Sequence, residues 1–455
     1  MSFETVNPST EEVIASYELM DAGTVMGFVE KSSVAQKKWA LVPVKDRAGY
    51  FVKLAAVLRK NAKKYADLMT LEMGKCTTEA QAEVEKCAWS ADVYAENAEK
   101  WLAEEKVKAD GKEHFVRFEP MGVILAIMPW NFPFWQALRF GIPTLLAGNG
   151  GVLKHSNVVP GCAVAIEEAF AEAGFPKGLF KTVITGHDAV AEAIASPLIA
   201  GVSLTGSTGA GKHIGKAAGE AIKPCVLELG GSDPFIVLED ADIAKAAKAA
   251  AGGRFLNGGQ SCIASKRFLV HKDVAEEFSK AFADEVSKIV VGDPMDAATK
   301  MGPLVNKDAY DDMLKFIKDA VAKGGKILTG GKNPFDKGYF IEPTVIADAD
   351  GTMRIMSEEV FGPIAPIHVV SSEEEAIQIA NDSEFGLGGS VFTQDLERGK
   401  RVAEQIQSGA VFVNNYTKSD PRMPFGGIKT SGIGRELSHY GLKEFVNIKG
   451  YSIYE

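Results

Sequence analysis

Cysteine is scarce: the 455 residues hold five, Cys76, Cys87, Cys162, Cys225 and Cys262. The number is odd, no pair stands in CxxC spacing, and no adjacent histidine pair accompanies them. Neither a disulfide framework nor a zinc site is suggested, no metal is expected, and reduced thiols are the default. An excess of positive charge is missing as well. Lys plus Arg total 50 against 60 Asp plus Glu, a formal net charge of −10 that argues against a nucleic-acid or anionic-membrane partner. No apolar stretch approaches the roughly 18 uninterrupted residues that cross a bilayer. The opening MSFETVNPSTEE also lacks a basic stretch followed by an apolar run. A cytoplasmic protein is expected.

What is present is a globular composition rich in turns, 46% apolar and 24% charged with 46 glycines. Single cores stop growing near roughly 250 to 300 residues, so two large lobes are expected. From residue 30 to about 104 apolar residues recur three and four apart, as in DRAGYFVKLAAVLRK and EAQAEVEKCAWSADVYAENAEKWL, which predicts a helical front segment. Beyond it GVILAIM reads as a strand, FPFWQALRFGIPTLLAG as a helix and GGVLKHS as a strand. The alternation continues through PGCAVAIEEAFAEAG, LFKTVIT, DAVAEAIAS, IAGVSLTG and a helix opening at STGAGKHIGKAAGEA. Repeated βαβ units imply an α/β fold with a doubly wound parallel sheet that binds ligands at the carboxyl ends of its strands. A second α/β series starts near residue 230. DPMDAATKMGPLVNKDAYDDM and GGKNPFDKG read as surface connections, and GLKEFVNIKGYSIYE alternates like a strand that joins another sheet.

Four short stretches carry candidate chemistry. In RFLNGGQSC, Gly258 and Gly259 permit positive φ and close approach of main chain to a ligand, so the Cys262 amide could point to where its own sulfur reacts. The competing reading, a small buried hydrophobe, is kept for the other four cysteines. In TGSTGAG, Gly206 and Ser207 follow an apolar strand and open a helix whose amides could receive a phosphate, a weak signal alone because it is not GxGxxG. In PWNFPFW, Asn131 follows a strand, where its amide could donate to an oxyanion or its side chain could cap the next helix. In LELGGSDP, Glu228 sits between apolar residues, which raises a carboxyl pKa towards general-base work; an ion-paired structural glutamate is the alternative.

In order and context, PWNFP, LKHS, TGSTGAG, LELGGSDP, GGQSC, EEVFGP and PFGGIKTSG resemble the aldehyde dehydrogenase superfamily over essentially the whole chain, and succinate-semialdehyde dehydrogenases most. The resemblance implies the fold of that family. A Rossmann-like nucleotide-binding domain spans 1–104 and 121–230, and an α/β catalytic domain spans 231–436. A small oligomerisation element spans 105–120 and 437–455, its tail extending a neighbour's sheet in a homodimer or homotetramer. Cys262 matches the nucleophile that attacks an aldehyde, Asn131 the amide that holds the oxyanion, and Glu228 the base that activates the hydrolytic water.

Lys154 aligns with the lysine on the cofactor ribose, Glu359 with the glutamate on the nicotinamide ribose, and Trp130 and Phe361 with cofactor-packing aromatics. Gly206 and Ser207 fall at the pyrophosphate. NAD-preferring relatives often carry a glutamate three residues after that lysine, and this chain has Asn157. The loss of that carboxylate, with Lys154, His155 and Ser156 nearby, implies NADP as preferred cofactor and NAD as the alternative.

Arg139 falls where succinate-semialdehyde dehydrogenases place a carboxylate-binding arginine. About two turns beyond Asn131, it is expected on the same side of that helix, with Trp135, Ser419 and Phe425 as further substrate contacts. Its competing reading is a surface or intersubunit ion pair. One departure is Leu256, where some of these enzymes have a further arginine. Another is Ala264, where some relatives have a second cysteine, so no regulatory disulfide is expected. Alternatives are a broader aldehyde or lactaldehyde dehydrogenase, a CoA-acylating enzyme, against which Glu228 speaks, and a non-catalytic descendant, against which Cys262, Glu228 and Asn131 together speak.

Overall fold

The computed structural model describes residues 2–455. Its first element is a hairpin of β1 (Ser2–Val6) and β2 (Val13–Glu18), paired antiparallel. Helix α1 (Ala22–Trp39) begins ahead of the legible periodicity because Asp21 caps it, accepting from the Thr24 N–H at 2.7 Å. Then follow α2 (Val44–Lys60), α3 (Ala62–Met73) and α4 (Thr77–Trp101), with α4 packed against α2, α3 and α5 (Pro133–Leu146).

β3 (Glu105–Lys106) and β4 (Glu113–Pro120) belong to a small antiparallel sheet, described below. The VILAIM run forms β5 (Val123–Met128), buried at all but one position because helices cover both sheet faces. Its sheet also holds β6 (Gly150–His155), β7 (Phe180–Val183), β8 (Ile199–Thr205) and β9 (Cys225–Glu228), all parallel. The order β9-β8-β5-β6-β7 puts a topological switch at β5, and the turns after β5 and β8 flank it. The second sheet holds β10 (Asp233–Val237), β11 (Ser265–His271), β12 (Lys326–Thr329), β13 (Thr344–Ala347), β14 (Ile364–Val370), β15 (Gly388–Phe392) and β16 (Ala410–Val413). Its order is β12-β13-β14-β11-β10-β15-β16, parallel except for β12 on β13. A short β17 (Gly432–Ile433) then returns to pair antiparallel with β9. β18 (Val446–Ile453) pairs with β4 of its own chain along its whole length, giving the three-stranded order β18-β4-β3.

One expectation needs correction. The stretch taken as a surface connection up to Met313 contains the start of a helix, Lys307–Ala322, because Asn306 caps it by accepting from the Ala309 N–H at 2.9 Å. Lys307, Asp308 and Asp312 lie on the solvent face of that helix.

The functional consequence lies where the sheets meet. β9 ends at Glu228 and β10 begins at Asp233, so a few residues run from the carboxyl end of one sheet to the amino end of the other. Asp233 pairs in register with Ser265 at the start of β11, just after Cys262. Glu228 and Cys262 thus approach each other from different sheets.

Candidate active site

The segment before Cys262 is left-handed at three consecutive residues: Asn257 (φ 54°), Gly258 (φ 62°) and Gly259 (φ 73°). A Cβ on Gly259 would collide with the Gly362 carbonyl oxygen, so glycine is required there by packing as well as by φ. The buried Arg254 guanidinium donates to the carbonyls of Ile364 (2.6 Å), Val360 (3.1 Å) and Gly362, tying the Glu359–Phe361 segment to this turn. From below, the buried Lys266 ammonium donates to the carbonyls of Ser261 (2.9 Å) and Cys262 (2.7 Å). The Cys262 carbonyl is thereby turned towards β11, and among the described residues its N–H donates to no protein atom. Burial pushes the Cys262 thiol up to about 12, against the opposing pull of Lys266 and Arg139. The resting thiol is protonated.

Asn131 lies in the turn between β5 and α5 and does not cap the helix. The first N–H groups of α5, those of Phe134 (3.0 Å) and Trp135 (2.9 Å), donate instead to the Glu83 carboxylate. Asn131 Oδ1 accepts from Gln136 Nε2 at 3.0 Å, and its Nδ2 donates one hydrogen to the Gln260 carbonyl at 3.0 Å, leaving the other hydrogen for a ligand. Its own carbonyl is gripped by Lys75 Nζ and Asn257 Nδ2, each at 2.8 Å. Lys75 is itself buried in an ion pair with Glu83. This Lys75–Glu83 pair, and Lys266, did not emerge from the sequence reading; the only available signals were a lysine in EMGK and acids on what reads as a polar helix face.

Glu228 ends β9, buried, with no hydrogen-bond partner on either carboxylate oxygen. Burial first, then the neighbouring Glu436 charge, raise its pKa well above the ordinary carboxylate range, while Arg139 opposes them. Arg139 is buried on α5 and paired with Glu436 of the same chain. Its guanidinium stands 4.6 Å from the Phe425 ring and donates to Thr205 Oγ1 at 3.3 Å. The pair is therefore neither at the surface nor between subunits.

A cavity of about 340 Å³ opens between α4, α5, the Cys262 segment and residues 416–425, and Trp135, Arg139, Cys262, Ser419 and Phe425 all line it. Leu256, where some relatives would have an arginine, lines it too. Asn131 bonds a lining residue, Gln136. Cys76, Cys87 and Cys162 are buried elsewhere, their thiols pushed up by burial.

A second surface forms at the carboxyl ends of β5, β6 and β8. Ser207 caps the helix Thr208–Glu220 by accepting from the Ala210 N–H at 3.2 Å, so its own hydroxyl hydrogen stays free beside the exposed helix N-terminus. Gly206 sits at the turn, and Gly230 faces Glu359 so closely that a Cβ would strike its carboxylate. Glu359 accepts from the Gly231 N–H at 3.1 Å. Trp130 and Phe361 meet edge to face with ring centroids 5.8 Å apart. Lys154, half-buried at the end of β6, has no acidic partner among the described residues, and burial lowers its pKa. Ser156 and the exposed Asn157 follow it. His155 does not join them as a donor: it is buried, its Nε2 lies 3.0 Å from the Pro133 carbonyl, and its Nδ1 accepts from the Ser156 N–H. Burial lowers its pKa to about 4, which keeps it neutral. A glycine turn at a helix N-terminus and an unpaired lysine with no acid nearby fit a nucleotide carrying phosphates.

Among the described residues, no group of three or more His, Cys, Asp or Glu is arranged to hold a metal ion. No helix among them is long and apolar enough to cross a membrane.

The sequence model of the aldehyde dehydrogenase family matches residues 1–451. The probable succinate-semialdehyde dehydrogenase [NADP(+)] of Synechocystis sp. is 44% identical over 449 residues, 99% of each chain. The succinate-semialdehyde dehydrogenase [NADP(+)] 1 of Mycobacterium tuberculosis is 43% identical over 452 residues, again 99% of each. Among solved structures, succinic semialdehyde dehydrogenase from Streptococcus pyogenes in complex with NADP+ superposes with a TM-score of 0.97 at 39% identity, covering 100% of both chains.

Proposed function

The chain belongs to the aldehyde dehydrogenase family, and from that premise we propose that it oxidises succinate semialdehyde to succinate with NADP as preferred cofactor. The observation that carries this reading is the single cavity that joins Cys262 to cationic side chains, in a chain whose similar relatives are named for that aldehyde and that cofactor.

The roles follow from the chemistry. Cys262 first gives up its thiol proton to water. The thiolate sulfur then forms a bond to the aldehyde carbon, and the free hydrogen on Asn131 Nδ2, with the Cys262 N–H, donates to the oxygen that becomes negative as the C=O π bond opens. When bound, the nicotinamide supplies the acceptor for the aldehyde hydrogen and its electron pair. Cys262 then carries a thioester, and Glu228 takes the proton of the water that hydrolyses it. Lys154, Ser156 and Asn157 would hold the adenosine ribose and its 2′-phosphate, Gly206 and Ser207 the pyrophosphate, Glu359 the second ribose, and Trp130 and Phe361 would pack the ring. Arg139, Trp135, Ser419 and Phe425 would hold the substrate.

We assign cofactor binding to the lobe built on the sheet around β5, catalysis to the lobe around β10, and oligomerisation to the three-stranded sheet. Ile448, Ile453 and Tyr454 are exposed along or just beyond β18, at the edge of that sheet, which supports pairing with a second copy in a homodimer or homotetramer. The cytoplasm suits an enzyme whose reactive thiol must stay reduced.

The test is kcat/KM for succinate semialdehyde and for butanal, each with NADP and with NAD. The charged aldehyde is expected to exceed butanal by at least about tenfold, as for one well-placed charged contact. Equal or better rates with butanal would replace this reading with a broader aldehyde dehydrogenase. In the same series Asn157→Glu places a carboxylate beside the 2′-phosphate. It is expected to weaken NADP binding about tenfold or more, read as Kd by tryptophan fluorescence, while NAD binding holds or improves. An unchanged NADP Kd would remove Asn157 from the cofactor site.

A further inference from the structure

We propose that Lys86, with the Ser419 hydroxyl, is the principal anchor for the negatively charged tail of the aldehyde, a role the sequence assigns to Arg139. The proposal rests on the succinate-semialdehyde reading above and names the residue that sets its specificity.

Lys86 projects from α4 into the cavity that Cys262 lines. Its Nζ donates to Ser419 Oγ at 2.6 Å and lies 4.4 Å from the centroid of the Trp135 ring, and both of those residues line the cavity as well. An ammonium has three hydrogens to donate and Ser419 takes one. Because Ser419 accepts there, its own hydroxyl hydrogen remains available, so ammonium and hydroxyl can both donate to one carboxylate.

Two charged groups share the cavity wall with Lys86: Glu79 on the same helix, which accepts from the Asn257 N–H and whose pKa burial raises to about 7, and the exposed Lys418 beside Ser419. The others around it are committed elsewhere. Glu83, on its own helix, is held by Lys75 and by the first N–H groups of α5. Asp420 is paired with Arg422 at 2.7 Å. Arg139, facing from α5, is paired with Glu436. Among the described residues no carboxylate stands within ion-pair distance of Lys86, which leaves a partly buried cation beside a second cation. Burial, then the Arg139 charge, lower its pKa to about 8, the mark of an ammonium short of negative partners. An anion bound at its Nζ offsets both. Arg139, its charge already met by Glu436, lines the same cavity as a weaker attraction.

The test is the ratio of kcat/KM for succinate semialdehyde to that for butanal, measured with NADP from pH 6.5 to 9.5 on wild type, Lys86→Gln and Lys86→Arg. Any titration of Cys262 or Glu228 acts on both aldehydes and cancels in the ratio. Glu79, with its pKa raised to about 7, acts on the charged aldehyde below about pH 8 and in all three enzymes alike, so the fall above about pH 8 is read as the difference between wild type and the Lys86 variants. In wild type the ratio is expected to be high at pH 7 and to fall above about pH 8 as Lys86 loses its proton. Lys86→Gln is expected to lower the ratio at pH 7 by about tenfold or more and to flatten its pH dependence. Lys86→Arg should keep the ratio high and remove the fall, because a guanidinium stays charged throughout. A purely structural lysine would slow both aldehydes together and leave the ratio where it was. A high wild-type ratio that Lys86→Gln leaves within twofold overturns the Lys86 assignment alone. A wild-type ratio near one overturns the substrate reading and the assignment with it.

Discussion

Cys262→Ala is expected to abolish aldehyde oxidation, by at least about 10³-fold, while leaving the Kd for NADP within a factor of about two. The size of the effect follows from what the turn is built to do. Lys266 and Arg254 hold the backbone around Cys262, and three left-handed residues bring the chain in against Gly362. None of those contacts involves the sulfur, so its removal deletes the bond-forming atom and spares the scaffold. The surface at Lys154 and Ser207 proposed to hold the cofactor is formed by other elements and keeps its contacts. NADPH formation followed by absorbance, with NADP binding by fluorescence, checks both halves. A variant with a substantial fraction of wild-type turnover would show that Cys262 is not the nucleophile.

Glu228→Gln is expected to separate the two halves of the reaction. NADPH should form in a burst of roughly one equivalent per active site, since attack and oxidation precede the hydrolysis that Glu228 serves. Steady-state turnover should then fall by about 10²-fold or more. The pH dependence has a definite sign. Because burial and Glu436 raise the Glu228 pKa, the carboxyl is protonated and idle as a base at low pH, and thioester hydrolysis should speed up as pH rises through that elevated value. In Glu228→Gln this rise should disappear. Stopped-flow absorbance at several pH values measures burst and steady state together, and a turnover equal to wild type would reject the base role.

The alternation of strands and helices around β5 was legible because parallel strands covered on both faces read as continuous apolar runs, as VILAIM does. The N-terminal hairpin was not, since its short, largely exposed strands offer no such run. Cys262, Asn131 and Glu228 each stand beside a turn signal that local sequence displays. What escaped were contacts made through space. Nothing near Arg139 announces Glu436, which arrives from the far end of the chain to pair with it. Lys75 and Glu83 look like a helix's solvated charges until α5 packs on them and Asn131 takes up the lysine. Lys86, in EVEKC, reads the same way, and only the loop carrying Ser419 turns its position into a cavity wall. His155 shows the converse. A histidine beside Lys154 suggested a donor for phosphate, yet its Nε2 is taken by the carbonyl of Pro133 and its Nδ1 by the N–H of Ser156, and burial keeps it neutral.

The central claim is that Cys262 carries the acyl group between oxidation and hydrolysis. The most direct measurement is a rapid acid quench of Glu228→Gln during turnover with succinate semialdehyde and NADP, followed by peptide mass analysis. The expected result is a mass increase of one succinyl group on the peptide containing Cys262, with an occupancy matching the NADPH burst. A burst with no adduct on that peptide, or with the adduct on another residue, would contradict the thioester mechanism.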